Sequence, residues 1–326
     1  MADIRMLRGA LVAVLALLAS MTQAPAADYP DRSLRWVVAY PAGGGSDFLA
    51  RTVAVRLSAQ LGQPIVIDNR PGAATIIGAQ QAAVAAGDGY TIFTADNGSL
   101  VFNPALYAKL PYKVADFAPI GLMARFPLIL VSTPGSGFAT VQAMIAAATA
   151  DPTKVAFASP GAGGPHHLAM ELLKARAGFE AQHIAYKGAA PAVQDVLSGQ
   201  VPVMMLDTAT ALPHLAAGKL KALAVASHAR LPRLPDVPTF KELGYDSVEV
   251  HAWQGLVVPV ATPRSIRDRL TRELQAALAD ADVRKALTDF GLEITPGDGE
   301  RMAAYIDAET TLWHALIRQR GLKLDQ

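Results

Sequence analysis

From Leu34 onward, short apolar runs alternate with longer stretches whose apolar residues recur every three or four positions. The runs Leu34–Tyr40, Pro64–Asp68, Gly89–Thr94, Pro127–Ser132, Val155–Ser159, His183–Tyr186, Val201–Leu206 and Leu220–Ser227 read as strands. Between them, Leu49, Val53 and Leu57 fall on one helical face that closes near Gly62, and Leu168, Leu172 and Leu173 fall on another. Near the C-terminus, Tyr305, Ile306, Leu312, Trp313, Leu316 and Ile317 form one helical stripe that stops at Gly321. Strands alternating with helices predict an α/β fold built mainly on parallel strands. Pro127–Ser132 is expected to cross into a second domain, and the Pro-rich stretch Leu231–Pro238 to lead back.

Two strand-to-helix joints stand out. Pro41-Ala42-Gly43-Gly44-Gly45-Ser46-Asp47 follows the first strand, and Pro160-Gly161-Ala162-Gly163-Gly164-Pro165-His166 follows Val155–Ser159. At an offset of 119 residues, Ala39 matches Ala158, Pro41 matches Pro160 and Gly44-Gly45 matches Gly163-Gly164. The offset implies a duplicated strand–turn–helix unit. Glycines let the backbone approach a bound group and take positive φ. The following helix points unpaired N–H groups and its positive dipole end at that group, which makes a ready anion site. Two such turns on facing domains would grip a carboxylate without any Arg or Lys.

The N-terminus carries a different pattern. Arg5 and Arg8 precede an apolar run from Leu11 to Ala19, and Ala24-Pro25-Ala26 follows as a small-x-small site. That order reads as a secretory signal over 1–26, too short to span a bilayer, which needs about 20 apolar residues. Trimming it changes the balance from 29 basic against 28 acidic residues to 27 against 27. Near-zero charge without a basic run excludes a nucleic-acid binder. The absence of Cys excludes disulfides, thiol catalysis and thiolate metal sites.

Other chemistries find little support. Gly43-Gly44-Gly45-Ser46 lacks the Gly-Lys-Ser/Thr of a phosphate loop, and neither turn spells a dinucleotide fingerprint. His166 and His167 are adjacent on a helix and point about 100° apart, so they do not chelate one metal. No G-x-S-x-G elbow supports a hydrolase, although Ser46 and Ser159 lie at turns. Asp207, at a strand end, is open to three roles: a base, a ligand partner, or a helix cap. Asp47 is equally compatible with a ligand role and with favouring the helix dipole. No catalytic residue, metal or cofactor is assigned.

The combined motifs resemble the Bug family (Bordetella uptake gene, or tripartite tricarboxylate transporter receptor, proteins). They include Tyr40-Pro41-Ala42-Gly43-Gly44-Gly45-Ser46-Asp47, Asp68-Asn69-Arg70-Pro71-Gly72-Ala73, Gly87-Asp88-Gly89-Tyr90-Thr91, Asn103-Pro104-Ala105-Leu106-Tyr107, Tyr186-Lys187-Gly188 and Leu234-Pro235-Asp236-Val237-Pro238-Thr239. The resemblance implies a monomeric periplasmic solute-binding protein of the type II, Venus-flytrap fold, with no enzymatic activity. Its domains would be 27–126 plus 228–326, and 127–227, closing on a small carboxylate for delivery to the membrane permease subunits of a tripartite transporter. A sensory receptor handing its signal to a sensor kinase, or a secreted α/β hydrolase, are the alternatives. The resemblance further implies that Tyr40, Gly44, Gly45, Ser46 and Asp47 in the first turn, with Ser159, Gly161, Gly163, Gly164 and His167 in the second, hold the carboxylate. Asn97, Ser99 and Asp207 would read the rest of the ligand, and His167 would face the cleft. Gly72-Ala73-Ala74-Thr75 departs from the glycine-richer loop usual in the family.

Overall fold

The computed structural model describes residues 29–324, and the expected signal segment lies outside the described residues. β1 (Leu34–Val38) is Val-rich and almost wholly buried, as a central parallel strand must be when covered on both faces. It pairs in parallel with β2 (Ile65–Asn69) on one side and β3 (Thr91–Asp96) on the other. Between β1 and β2 runs α1 (Gly45–Leu61), which buries Leu49, Val53, Leu57 and Leu61 and ends on Gly62 at φ 72°. That is the predicted stripe and the predicted stop. After β2, the short helix α2 (Ile76–Ala83) leads back to β3, and the single turn α3 (Asn103–Leu106) follows it.

The second half repeats this layout. β5 (Ala156–Ser159) pairs in parallel with β6 (Gln182–Ala185) and β7 (Val203–Asp207). α4 (Val141–Ala150) precedes β5; α5 (Pro165–Ala177) and α6 (Ala189–Leu197) flank β6. α7 (Thr208–Ala216) follows β7.

β4 (Phe117–Ser132) joins the halves and is far longer than the predicted Pro127–Ser132. Its Phe117–Pro127 portion pairs antiparallel with β9 (His251–Pro259), and Gly121–Arg125 also meets β10 (Glu293–Asp298). Its Leu128–Ser132 portion pairs instead with β7 and with β8 (Lys221–Val225). β9 and β10 are additions to the predicted map. β10 was hidden because its Thr295-Pro296-Gly297 reads as a turn.

The Pro-rich stretch does not lead straight back to the first half. Leu231 is buried with Ile129, Val131 and Val225, and Val225 forms a bridge with Thr239. The chain pairs with first-half strands again at β9, where His251 aligns with Pro127.

One buried cluster spans both halves, with Val37, Phe93 and Trp253 joined to Val141, Met144, Phe157 and Leu168. Two further clusters lie beyond it, one beneath α1 and one beneath α6. Three helices close the first half. They are α8 (Arg264–Ala279), α9 (Ala281–Phe290) and α10 (Gly299–Gln319), the last burying Ile306, Trp313, Leu316 and Ile317. Among the described residues no helix is long and apolar enough to cross a membrane.

Candidate functional site

The first turn is held by a carboxylate. Gly43 takes φ +82°, and Gly44 caps α1 in an extended conformation. The helical ladder begins with Phe48 N donating to Gly44 O at 2.9 Å, so the N–H groups of Gly44, Gly45 and Ser46 have no intrahelical acceptor. Gly43 and Gly44 are exposed. Asp47 accepts from Gly43 N at 2.9 Å, Arg51 Nε at 2.9 Å and Asn69 Nδ2 at 3.0 Å. Burial alone would raise its pKa. Those hydrogen bonds outweigh burial and hold the carboxyl below its ordinary value. Expected at the ligand, Asp47 is instead spent on shaping the turn that would meet it. Ser46 is also buried, and its Oγ accepts from Gln254 Nε2.

The second turn has the same geometry with a different acceptor. Gly163 takes φ +77°, Gly164 is the extended cap of α5, and Leu168 N donates to Gly164 O at 3.0 Å. Gly163 N then donates to His167 Nδ1 at 3.0 Å, as Gly43 N does to Asp47. Gly44 and Gly164 are therefore equivalent, 120 residues apart rather than the 119 of the sequence match. The sequence aligned glycines by identity. The structure aligns them by role, with the positive-φ residue first and the cap second.

His167, expected to face the cleft, turns back onto its own loop. It is 5% exposed and stacks on His183, with ring centroids 3.7 Å apart and planes 8° from parallel. Burial, with His183 and Lys174 nearby, lowers its pKa to about 3. The neutral ring is what allows Nδ1 to accept the glycine N–H. His183 Nε2 lies 2.7 Å from Ser159 Oγ, and Ser159 donates to Gly161 O at 2.9 Å. Ser159, fully buried, is thus committed to the inside of the turn. His166 is the histidine that remains partly exposed, with Nε2 3.6 Å from Asp207 Oδ2.

The strand ends complete the surroundings. Asp96, the last residue of β3, accepts from Tyr40 Oη, and from Ser99 N and Oγ at 2.7 Å each. Burial holds the Asp96 carboxyl above its ordinary value despite these donors. Tyr40 and Ser99 therefore point at Asp96, and Ser99 is fully buried. Asn97 is 2% exposed and donates through Nδ2 to His251 O at 3.1 Å. Asp207 caps α7, accepting from Thr210 N at 2.9 Å and Thr210 Oγ1 at 3.0 Å, so the capping role left open by the sequence is real. Burial raises its pKa, but His166 and Thr210 outweigh it and leave the carboxyl low.

Packing brings these pieces together. A Cβ on Gly45 would touch Phe126 and Phe290, and Gly291 lies against Ala209. Thr208 Oγ1 donates to Gly291 O at 2.6 Å. The Phe290–Gly291 corner thus sits between the first turn and the start of α7, next to Asp207. On the opposite side a Cβ on Gly163 would touch Leu106 and Leu324. Nearby, Ala73, Ala74 and Thr75 all take positive φ, at 44°, 48° and 74°, in the loop where the sequence lacks the usual glycines. Asn103 Nδ2 holds this loop through Ala74 O at 2.8 Å.

Asn69, Asp96, His166, His183 and Gln254 were absent from the expected set. A polar residue inside the apolar run Ala252–Val258 was the available signal for Gln254. Asp96 ends its strand as Asp207 ends β7, and that parallel was the signal for Asp96.

Two glycine turns at the C-terminal ends of parallel strands, one in each half of a two-domain α/β fold, lie where such folds bind ligands. The profile of the tripartite tricarboxylate transporter family receptor matches residues 49–322, and the chain belongs to that family. A UPF0065 protein in the tcbD-tcbE intergenic region of Pseudomonas sp. (strain P51) is 38% identical over 315 residues, covering 96% of this chain and 94% of the relative. Protein BugT of Bordetella pertussis is 35% identical over 298 residues, covering 91% of each. Among solved structures, the periplasmic binding protein BugD is 33% identical with a TM-score of 0.80, covering 91% of this chain and all (100%) of that one. R. palustris Rpa4515 with adipate is 32% identical with a TM-score of 0.84, covering 92% and 100%. MatC (Rpa3494) from Rhodopseudomonas palustris with bound malate is 30% identical with a TM-score of 0.80, covering 89% and 100%. The family and these neighbours are binding proteins, not enzymes.

Proposed function

We propose that this chain is a periplasmic receptor that closes its two domains on a small carboxylate and delivers it to the permease of a tripartite transporter. The observation that carries the reading is the matched pair of turns. Each presents N–H groups free of intrahelical partners at a positive helix end, and each is braced by a side-chain acceptor at the third helical position. Adipate and malate in two neighbours support a carboxylate as the ligand class. We draw the domain crossings where β4 changes partners after Pro127 and where Val250 meets Ala226. We place the return later than 228, since Leu231, Leu234 and Val237 cluster with second-half residues. A ligand touching both turns favours the closed arrangement over any other.

The test is thermal unfolding of ligand-stripped protein against mono-, di- and tricarboxylates. At a concentration of 100 Kd, a true ligand adds about 2.7 kcal/mol of stability and raises Tm accordingly. A panel in which no carboxylate moves Tm would contradict the reading.

A further inference from the structure

The 120-residue equivalence shows where the two half-sites differ. At the first helical position Gly45 corresponds to Pro165, so the second turn has one N–H fewer. At the next position Ser46 corresponds to His166. Ser46 Oγ is already engaged by Gln254. His166 Nε2 is shielded from solvent and has no hydrogen-bond partner among the described residues. Asp207 Oδ2 lies 3.6 Å away, beyond hydrogen-bond range.

The strand-end acids differ in the same sense. Asp96 in the first half is 2% exposed and sealed by Tyr40 and Ser99. Asp207 in the second half retains a side-chain exposure of 17% and has one residue, Thr210, as its hydrogen-bond donor among the described residues. A carboxylate beside Nε2 favours the ring form with its proton on that nitrogen. The pair therefore presents one donor and one acceptor side by side, 3.6 Å apart, so that a single oxygen beside them reaches both.

We propose that His166 and Asp207 are the specificity element of this receptor and that they read a hydroxyl group on its carboxylate ligand. The proposal rests on the carboxylate reading above. A hydroxyl oxygen accepts from Nε2–H and donates to Oδ2 at once. An ammonium donates only and would oppose the Nε2 proton. A second carboxylate accepts only and would meet the Asp207 charge. Discrimination of this kind is strong because the analogue without the hydroxyl leaves the shielded His166 Nε2 unpaired.

Calorimetric titration of ligand-stripped protein tests this with pairs that differ by one hydroxyl: propionate and lactate, succinate and malate, glutarate and 2-hydroxyglutarate. Aspartate serves as the ammonium control. The hydroxy acid of the tightest-binding pair should bind at least about tenfold better than its partner. His166→Ser, which installs the residue of the first turn, and Asp207→Asn, which keeps a capping side chain, should each bring that ratio to about one. Two variants on different elements keep the test readable if one fails to fold. A wild-type ratio near one, tighter aspartate than malate, or a ratio unmoved in the folded variants would overturn the proposal. So would loss of all carboxylate binding in both, since a group that reads only the hydroxyl is dispensable for the rest. Failure of every carboxylate to bind wild-type protein would overturn the receptor reading itself, and this proposal with it.

Discussion

Asp47→Ala is expected to cost about 3 kcal/mol of stability and about a hundredfold in carboxylate affinity. Three donors converge on this side chain: Gly43 N–H, Asn69 Nδ2 and Arg51 Nε. Hydrogen bonds to a charged acceptor contribute roughly 1.5–3 kcal/mol each, but Arg51 is half exposed and recovers water when released. The loss therefore comes from the Gly43 and Asn69 groups. Affinity falls because the same bond fixes the positive φ of Gly43 and hence the aim of the next N–H groups. Asp47→Asn keeps one acceptor oxygen and should fall between wild type and alanine. Urea unfolding and calorimetric titration measure both effects. Stability within about 0.5 kcal/mol of wild type, with affinity unchanged, would show that the turn holds its shape without Asp47.

The second large effect is acid destabilisation. His167 is held neutral by burial, His183 and Lys174 at a pKa of about 3, and His183 by burial and Lys174 at about 4 despite the opposing pull of Glu171. His251 is held at about 4 by burial and Arg125. Each lies below the unfolded value of 6.5, so the unfolded chain binds more protons as pH falls. The stabilisation is complete above pH about 6.5 and is lost progressively toward pH 4 and 3, on the order of 5 kcal/mol in all. Asp96, Glu293 and Glu309, raised by burial, act with the opposite sign and soften the acid end. His167→Asn separates the contributions, because its Oδ1 occupies the place of Nδ1 and accepts from Gly163 as Asp47 accepts from Gly43. Its stability should change less than wild type between pH 6.5 and 4. An equal slope would remove His167 from the account.

The turns were legible because glycine at a strand-to-helix joint has a backbone reason to be there, and both helices start and stop where their stripes and glycines say. The register was less legible. Identity matched Gly44-Gly45 to Gly163-Gly164, whereas the cap and the positive-φ residue fall one position earlier in the first turn. Side-chain direction was less legible still. Asp47 and His167 look like ligand groups because they are polar and near the glycines, yet both turn back onto the glycine N–H of their own loop. Ser99 and Tyr40 likewise face Asp96. The sequence contains no signal separating a side chain that meets a ligand from one that shapes the backbone that does. Nor did it reveal the His167–His183 stack, which joins α5 to a strand folded beside it. β4 was underestimated because Pro119 and Pro127 interrupt it, and both are accommodated within its irregular pairing with β9.

The central claim is that backbone N–H groups of both turns, rather than any basic side chain, hold the ligand. A crystal structure with a tight-binding carboxylate tests it most directly. Carboxylate oxygens are expected within about 3.2 Å, directly or through one water, of N–H groups among Gly44, Gly45 and Ser46 and among Gly164 and His166. A ligand gripped by Arg or Lys side chains, or lodged away from both turns, would contradict it.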